Sequence, residues 1–160
     1  MVGNRGQPLW KKEPVAKKRK KFSGYAARQM GNLQHDQIKL INKIKDILIR
    51  DWERYVHPEE RNFRPHPLAS TCTIASEVYY WLRGKDEGYS PRMFYNEKKK
   101  QVMHFWLEHP TKGKLDITKA QLTKAQLKLS YQYSEAVEFG DSPNGNALRI
   151  MVEIEPLISN

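Results

Sequence analysis

The chain has 160 residues, 39% of them hydrophobic, and a formal net charge of +10 from 28 lysines and arginines against 18 acidic residues. That length supplies one domain with one real core, and the hydrophobic share is low enough to expect part of the chain to lie outside it. A single cysteine, Cys72, excludes an internal disulfide framework, and the lack of any run of eighteen apolar residues excludes a membrane-spanning helix.

Residues 1–30 carry nine basic side chains and one acidic one, so +8 of the net charge lies there and the remainder is close to neutral. Glycine, proline and charge without apolar periodicity read as a disordered basic arm. The run Lys17, Lys18, Arg19, Lys20 and Lys21 is its candidate binding element, suited to phosphates or an acidic protein surface without sequence preference. No zinc spacing, aromatic strand signature or helix-turn-helix accompanies it. The charges are not followed by the apolar stretch of a signal peptide, so the expectation is a cytoplasmic protein.

From Asp36 the pattern changes. Ile38, Ile41, Ile44, Leu48, Trp52 and Tyr55 recur at helical spacing, widened by Leu40, Ile47 and Val56, and predict an amphipathic helix ending before Pro58. Residues 57–71 form a connector with three prolines. Cys72 then opens an apolar helical run that ends near Gly84. Three short runs, Arg92–Tyr95, Gln101–Glu108 and Lys114–Thr118, separated by polar turns, predict an antiparallel meander. Residues 118–122 and 123–127 repeat Thr-Lys-Ala-Gln-Leu and predict one helix face. Ala147–Glu155 alternates as a last strand would. The fold class is α+β, with helices on one side of a small antiparallel sheet. The domain division is the arm, 1–30, and one domain, 31–160.

Chemistry concentrates on three residues. The unpaired N–H groups at a helix start favour thiolate over thiol, and Cys72 stands there. If 101–108 pairs with 114–118, His104 and Asp116 fall on one face of the sheet as opposed or diagonal neighbours. An aspartate so placed orients the imidazole and stabilises its charged form. Each residue has an ordinary reading alone: a small buried hydrophobe, a strand histidine, a helix cap. Together they have the makings of a thiol-hydrolase site. The oxyanion donors would be the Cys72 N–H and a neighbour, with Thr71 and His66 nearby in sequence. A metal site from His57, His66, Cys72 and His104 lacks any tight ligand pair, so no metal or cofactor is expected.

The segment Pro67–Leu82 led by Cys72, then His104-Phe105-Trp106, then Leu115-Asp116-Ile117-Thr118 followed by Gln121-Leu122, resembles the papain-like/transglutaminase-like thiol fold. Within that fold it is similar to the small bacterial YunG-like family. The likeness covers roughly residues 64–155 and leaves out the basic arm. It implies a papain-like domain with Cys72 as nucleophile, His104 as base and Asp116 as orienting acid, acting on a protein or peptide substrate. Thr71 stands where relatives often carry glutamine. The resulting expectation is a thiol hydrolase or acyl transferase. Its rival is a non-catalytic binding protein whose basic arm contacts nucleic acid or an acidic partner.

Overall fold

The computed structural model describes residues 24–158, with side chains from 35 to 156. Helix α1 (Gly24–Arg50) is followed after one turn residue by α2 (Trp52–Tyr55). Leu40, Ile44, Ile47 and Leu48 make its buried stripe, at the i, i+4, i+7, i+8 spacing of one helix face. Ile38, expected in that stripe, lies at its margin and is half exposed. The helix begins at Gly24, so residues 24–30, read as part of a disordered arm, are helical. Lys17, Lys18, Arg19, Lys20 and Lys21 lie outside the described residues.

Helix α3 (Cys72–Tyr79) is the centre of the domain, and Ala75, Val78 and Tyr79 on it are wholly buried. It runs on through a π-helical turn, Tyr80–Gly84, into α4 (Lys85–Glu87), three residues past the expected stop. Gly88 ends it at φ +85°, a left-handed conformation that glycine adopts without steric cost. Strands β1 (Ser90–Asn96), β2 (Gln101–His109), β3 (Gly113–Leu115) and β4 (Glu135–Ala136) form one antiparallel sheet in the order β3-β2-β1-β4. Strand β4 had no signal in the sequence, being two exposed residues long.

The return strand is shorter than expected. β3 pairs only Leu107 with Leu115, Glu108 with Lys114 and His109 with Gly113, and the chain leaves the sheet at Asp116. The repeated pentapeptide does not make one helix either. The first copy forms a 3-10 turn, Lys119–Gln121, and the second starts α5 (Lys124–Gln132). The break falls where Thr123 and Gln126 close a reciprocal capping box, which starts a new helix.

The largest correction concerns the C-terminus, where the expected strand is helix α6 (Gly145–Ile158). Alternation fits Leu148, Ile150, Val152 and Ile154 equally well, but the buried set is Ala147, Ile150 and Ile154, at helical spacing. Asn144 decides the matter locally, since its side-chain oxygen accepts from the N–H groups of Asn146 and Ala147 as an N-cap does. Glu77 of α3 in turn accepts from the backbone N–H and the side-chain amide of Asn144, locking α6 against α3.

The sheet is packed against helices, α3 on β2 and α5 beside β1. Leu107 joins Val78, Ile44 and Ile154 in the core, and Ser76 of α3 donates to the Phe105 carbonyl. By strand alternation His104 and Trp106 point the other way, where Tyr131 of α5 meets the Trp106 ring at 4.9 Å. The shared, testable consequence of the α6 assignment is asymmetric. Ile154→Ala should cost about 2–5 kcal/mol as a buried large-to-small change, while Val152→Ala, 61% exposed, should cost less than about 0.5 kcal/mol. Urea unfolding of the two variants checks this, and equal losses would restore the strand.

Candidate active site

The connector that delivers Cys72 is pinned from both sides. Trp52 Nε1 donates to the Ala69 carbonyl at 2.7 Å. Arg64 lies over the Trp52 ring at 4.6 Å and donates to the carbonyls of Ile49 and Pro67. Leu68 and Ala69 are buried, and Ser70 follows at φ +60°, an unusual left-handed conformation for a residue with a side chain. Thr71, fully buried, spends its hydroxyl on the Leu68 carbonyl at 2.7 Å. Cys72 is thus the first residue of α3, half-buried, on the wall of an open cleft of about 680 Å³.

The histidine and the aspartate meet. His104 Nε2 lies 2.6 Å from Asp116 Oδ2, and the two side chains are 0% and 2% exposed. Continuing the register of β3 would set Asp116 opposite Trp106 and Thr118 opposite His104, so the pair is the diagonal neighbour that the hairpin allows. Asp116 caps no helix, since Thr123 fills that role for α5. The His104 ring stacks on Trp106 at 5.6 Å, and Tyr131 donates to the same Asp116 oxygen at 2.7 Å.

Burial by itself would lower the His104 pKa. The hydrogen bond and charge of Asp116, followed by the adjacent Cys72 side chain, override it and push the value up to about 9. Nδ1, the ring nitrogen turned away from Asp116, has no hydrogen bond of regular geometry. It is therefore the nitrogen left to face the sulfur. Tyr131 is also pushed up, first by burial and then by the Asp116 carboxylate that its hydroxyl serves.

His66 lines the cleft with Cys72, and its Nδ1 accepts the Leu68 N–H at 3.0 Å. That bond leaves Nε2 to carry the proton in the neutral ring. Among the described residues, Glu59 and Glu60 are the acidic members of the cleft wall, and no lysine or arginine lines it. Phe63, Val102, Met103 and Leu122 supply its apolar surface. Among the described residues no group of three or more histidine, cysteine, aspartate or glutamate side chains has the arrangement of a metal site. No described helix is long and apolar enough to cross a membrane.

Sequence reasoning missed Tyr131. It lies fifteen residues beyond Asp116 in a helix with no marked apolar face, and only the fold brings it back. No protein-family model, curated protein or solved structure matches the chain.

Because the folded His104 pKa lies above the ordinary histidine value of about 6.5, its contribution to stability is complete below about 6.5 and is lost as the pH rises through about 9. Urea unfolding between pH 6 and pH 10 should therefore show wild type losing its advantage over His104→Gln across that window. An NMR titration of the ring should find its midpoint near 9. Asp116→Asn should move that midpoint down, since burial then acts against fewer opposing partners.

Proposed function

We propose that this protein is a thiol enzyme of papain-like type, hydrolysing or transferring an acyl group from an amide or peptide bond. The carrying observation is that Cys72 opens α3 on a cleft wall beside a buried imidazole that a carboxylate holds at 2.6 Å, a carboxylate that favours the charged ring. A cationic imidazole beside a sulfur is the setting in which thiols ionise and become nucleophiles.

In this reading the Cys72 sulfur attacks the carbonyl carbon and forms a tetrahedral adduct. The His104 Nδ1 proton passes to the leaving amine as the carbon–nitrogen bond breaks, leaving a thioester. Water, deprotonated at the same nitrogen, then adds to the thioester carbon and releases Cys72, or an acceptor amine does so in acyl transfer. Asp116 keeps the other ring nitrogen protonated throughout and stabilises the charged ring. The backbone N–H of Cys72, at a helix start and so without an intrahelical acceptor, is one oxyanion donor. Thr71 is committed to Leu68 and is not the other. His66, whose ring is fixed with Nε2 as the donor, fits that role on the same cleft. The resemblance to the YunG-like family supports the same three assignments.

The cleft walls favour a neutral or basic peptide, because the formal charges among their described residues are Glu59 and Glu60. Glu59→Gln combined with Glu60→Gln should shrink the kcat/KM preference for arginine-containing over glutamate-containing peptide amides by about two- to fivefold, the modest size expected of exposed charges.

The nucleophile itself is tested by the rate of iodoacetamide alkylation against pH. Wild type should react at pH 6 within about tenfold of its rate at pH 9, and His104→Ala should collapse the low-pH rate. A single rise centred near about 8.5, the ordinary thiol value, unaltered by His104→Ala, would refute the enzyme.

A further inference from the structure

Asp116 is held differently from the other two members of the site. Cys72 is fixed by the start of α3 and His104 by the middle of β2, but β3 has ended at Leu115, so no strand pairing orients Asp116. Its carboxylate has two partners, both on Oδ2: His104 Nε2 at 2.6 Å and the Tyr131 hydroxyl at 2.7 Å. The other oxygen, Oδ1, is buried without a hydrogen bond. A carboxylate with one donor can rotate to offer either oxygen, whereas two donors converging on one oxygen define its plane.

The Tyr131 ring is itself clamped. Trp106, the ring stacked on His104, meets it edge-on at 4.9 Å. Lys114 Nζ lies over it at 5.1 Å, and Lys114 is paired with Glu108, which also pairs with Arg92. Helix α5 is anchored at its start by the Thr123 and Gln126 capping box, whose nearer member, Gln126, lies five residues before Tyr131. The hydroxyl therefore arrives at Asp116 from a rigid mount.

We infer that Tyr131 is the positioning residue of this site: its hydroxyl fixes the Asp116 carboxylate so that Oδ2 holds the His104 Nε2 proton and Nδ1 is left to serve Cys72. The inference rests on the proposed thiol chemistry for its consequence, but its geometric content stands apart from any turnover. Tyr131 does not touch substrate and acts only through Asp116.

The test is Tyr131→Phe, which keeps the ring and removes the hydroxyl, with Tyr133→Phe, 60% exposed, as the control. In wild type the His104 Nε2 proton, buried and bonded at 2.6 Å, should give a far-downfield imidazole resonance. In Tyr131→Phe that resonance should broaden or vanish, and the pH 7 alkylation rate of Cys72 should fall about three- to tenfold, the scale of one hydrogen bond. Tyr133→Phe should alter neither. A resonance and a rate both unchanged in Tyr131→Phe would overturn the inference. A second measurement needs no variant: the Tyr131 hydroxyl proton should be visible as a slowly exchanging resonance, and its absence would count against the bond. If His104→Ala leaves alkylation at pH 7 untouched, the thiol-enzyme reading fails by itself, and the resonance arm still decides the role of Tyr131.

Discussion

The bond from His104 Nε2 to Asp116 Oδ2 ties the middle of the sheet to a segment that has just left it, and the surrounding residues keep that bond dry. A charged pair with 0% and 2% exposure has given up its water, a loss of several kcal/mol per ion that only close geometry and further hydrogen bonds offset. Tyr131 supplies one such bond and the stacked Trp106 ring closes one face of the imidazole. Removing either partner of the pair leaves the other buried and unpaired, so the segment from Asp116 to α5 cannot drift from β2 without a large penalty. The same interaction that orients the imidazole therefore also fixes that side of the fold.

The sulfur is held by an independent set of contacts. Helix α3 is buried from Ile74 to Tyr79, joined to α6 through Glu77 and Asn144 and to the sheet through Ser76. The loop before it is fastened to α2 by the Trp52 indole and to the end of α1 by Arg64. The two halves of the site thus come from different elements, the sulfur from the start of α3 and the imidazole and carboxylate from β2 and the segment that follows β3. Small displacements of either change the approach of sulfur to ring, which is why the placement of α5 matters as much as that of α3.

Much of this was legible in the chain, for definite reasons. The even spacing of His104 and Asp116 across a five-residue turn puts them on one face in any in-register hairpin, whatever the exact end of the strand. The helix led by Cys72 follows from two prolines and an apolar run. Tyr131 was not legible, because its partner lies across a tertiary contact and α5 shows no strong apolar stripe of its own. The C-terminal segment misled because Leu148, Ile150, Val152 and Ile154 satisfy period two as well as they fail period 3.6. The buried Ala147 and the cap at Asn144 carry the helical answer, and both are weak signals beside a run of branched aliphatic residues. The early end of β3 was likewise hidden, since Lys114–Thr118 reads as a strand until the Thr123 capping box draws the chain into helix.

Charge separates along the chain in the same way. Of the net +10, +8 resides in residues 1–30, whereas among the described residues the cleft beside Cys72 has two glutamates and no lysine or arginine on its wall. The backbone at its mouth is also costly: Ser70, two residues before Cys72, holds a left-handed conformation worth roughly 1–2 kcal/mol of strain for a non-glycine residue. Its neighbours hold it there, Ala69 through its N–H bond to the His66 carbonyl and Thr71 through both its N–H and its hydroxyl to Leu68. Strain maintained by buried neighbours is the pattern found where a backbone is kept in position for a task rather than for stability. Here the residues it orders on either side are His66 and Cys72, which share one cleft wall.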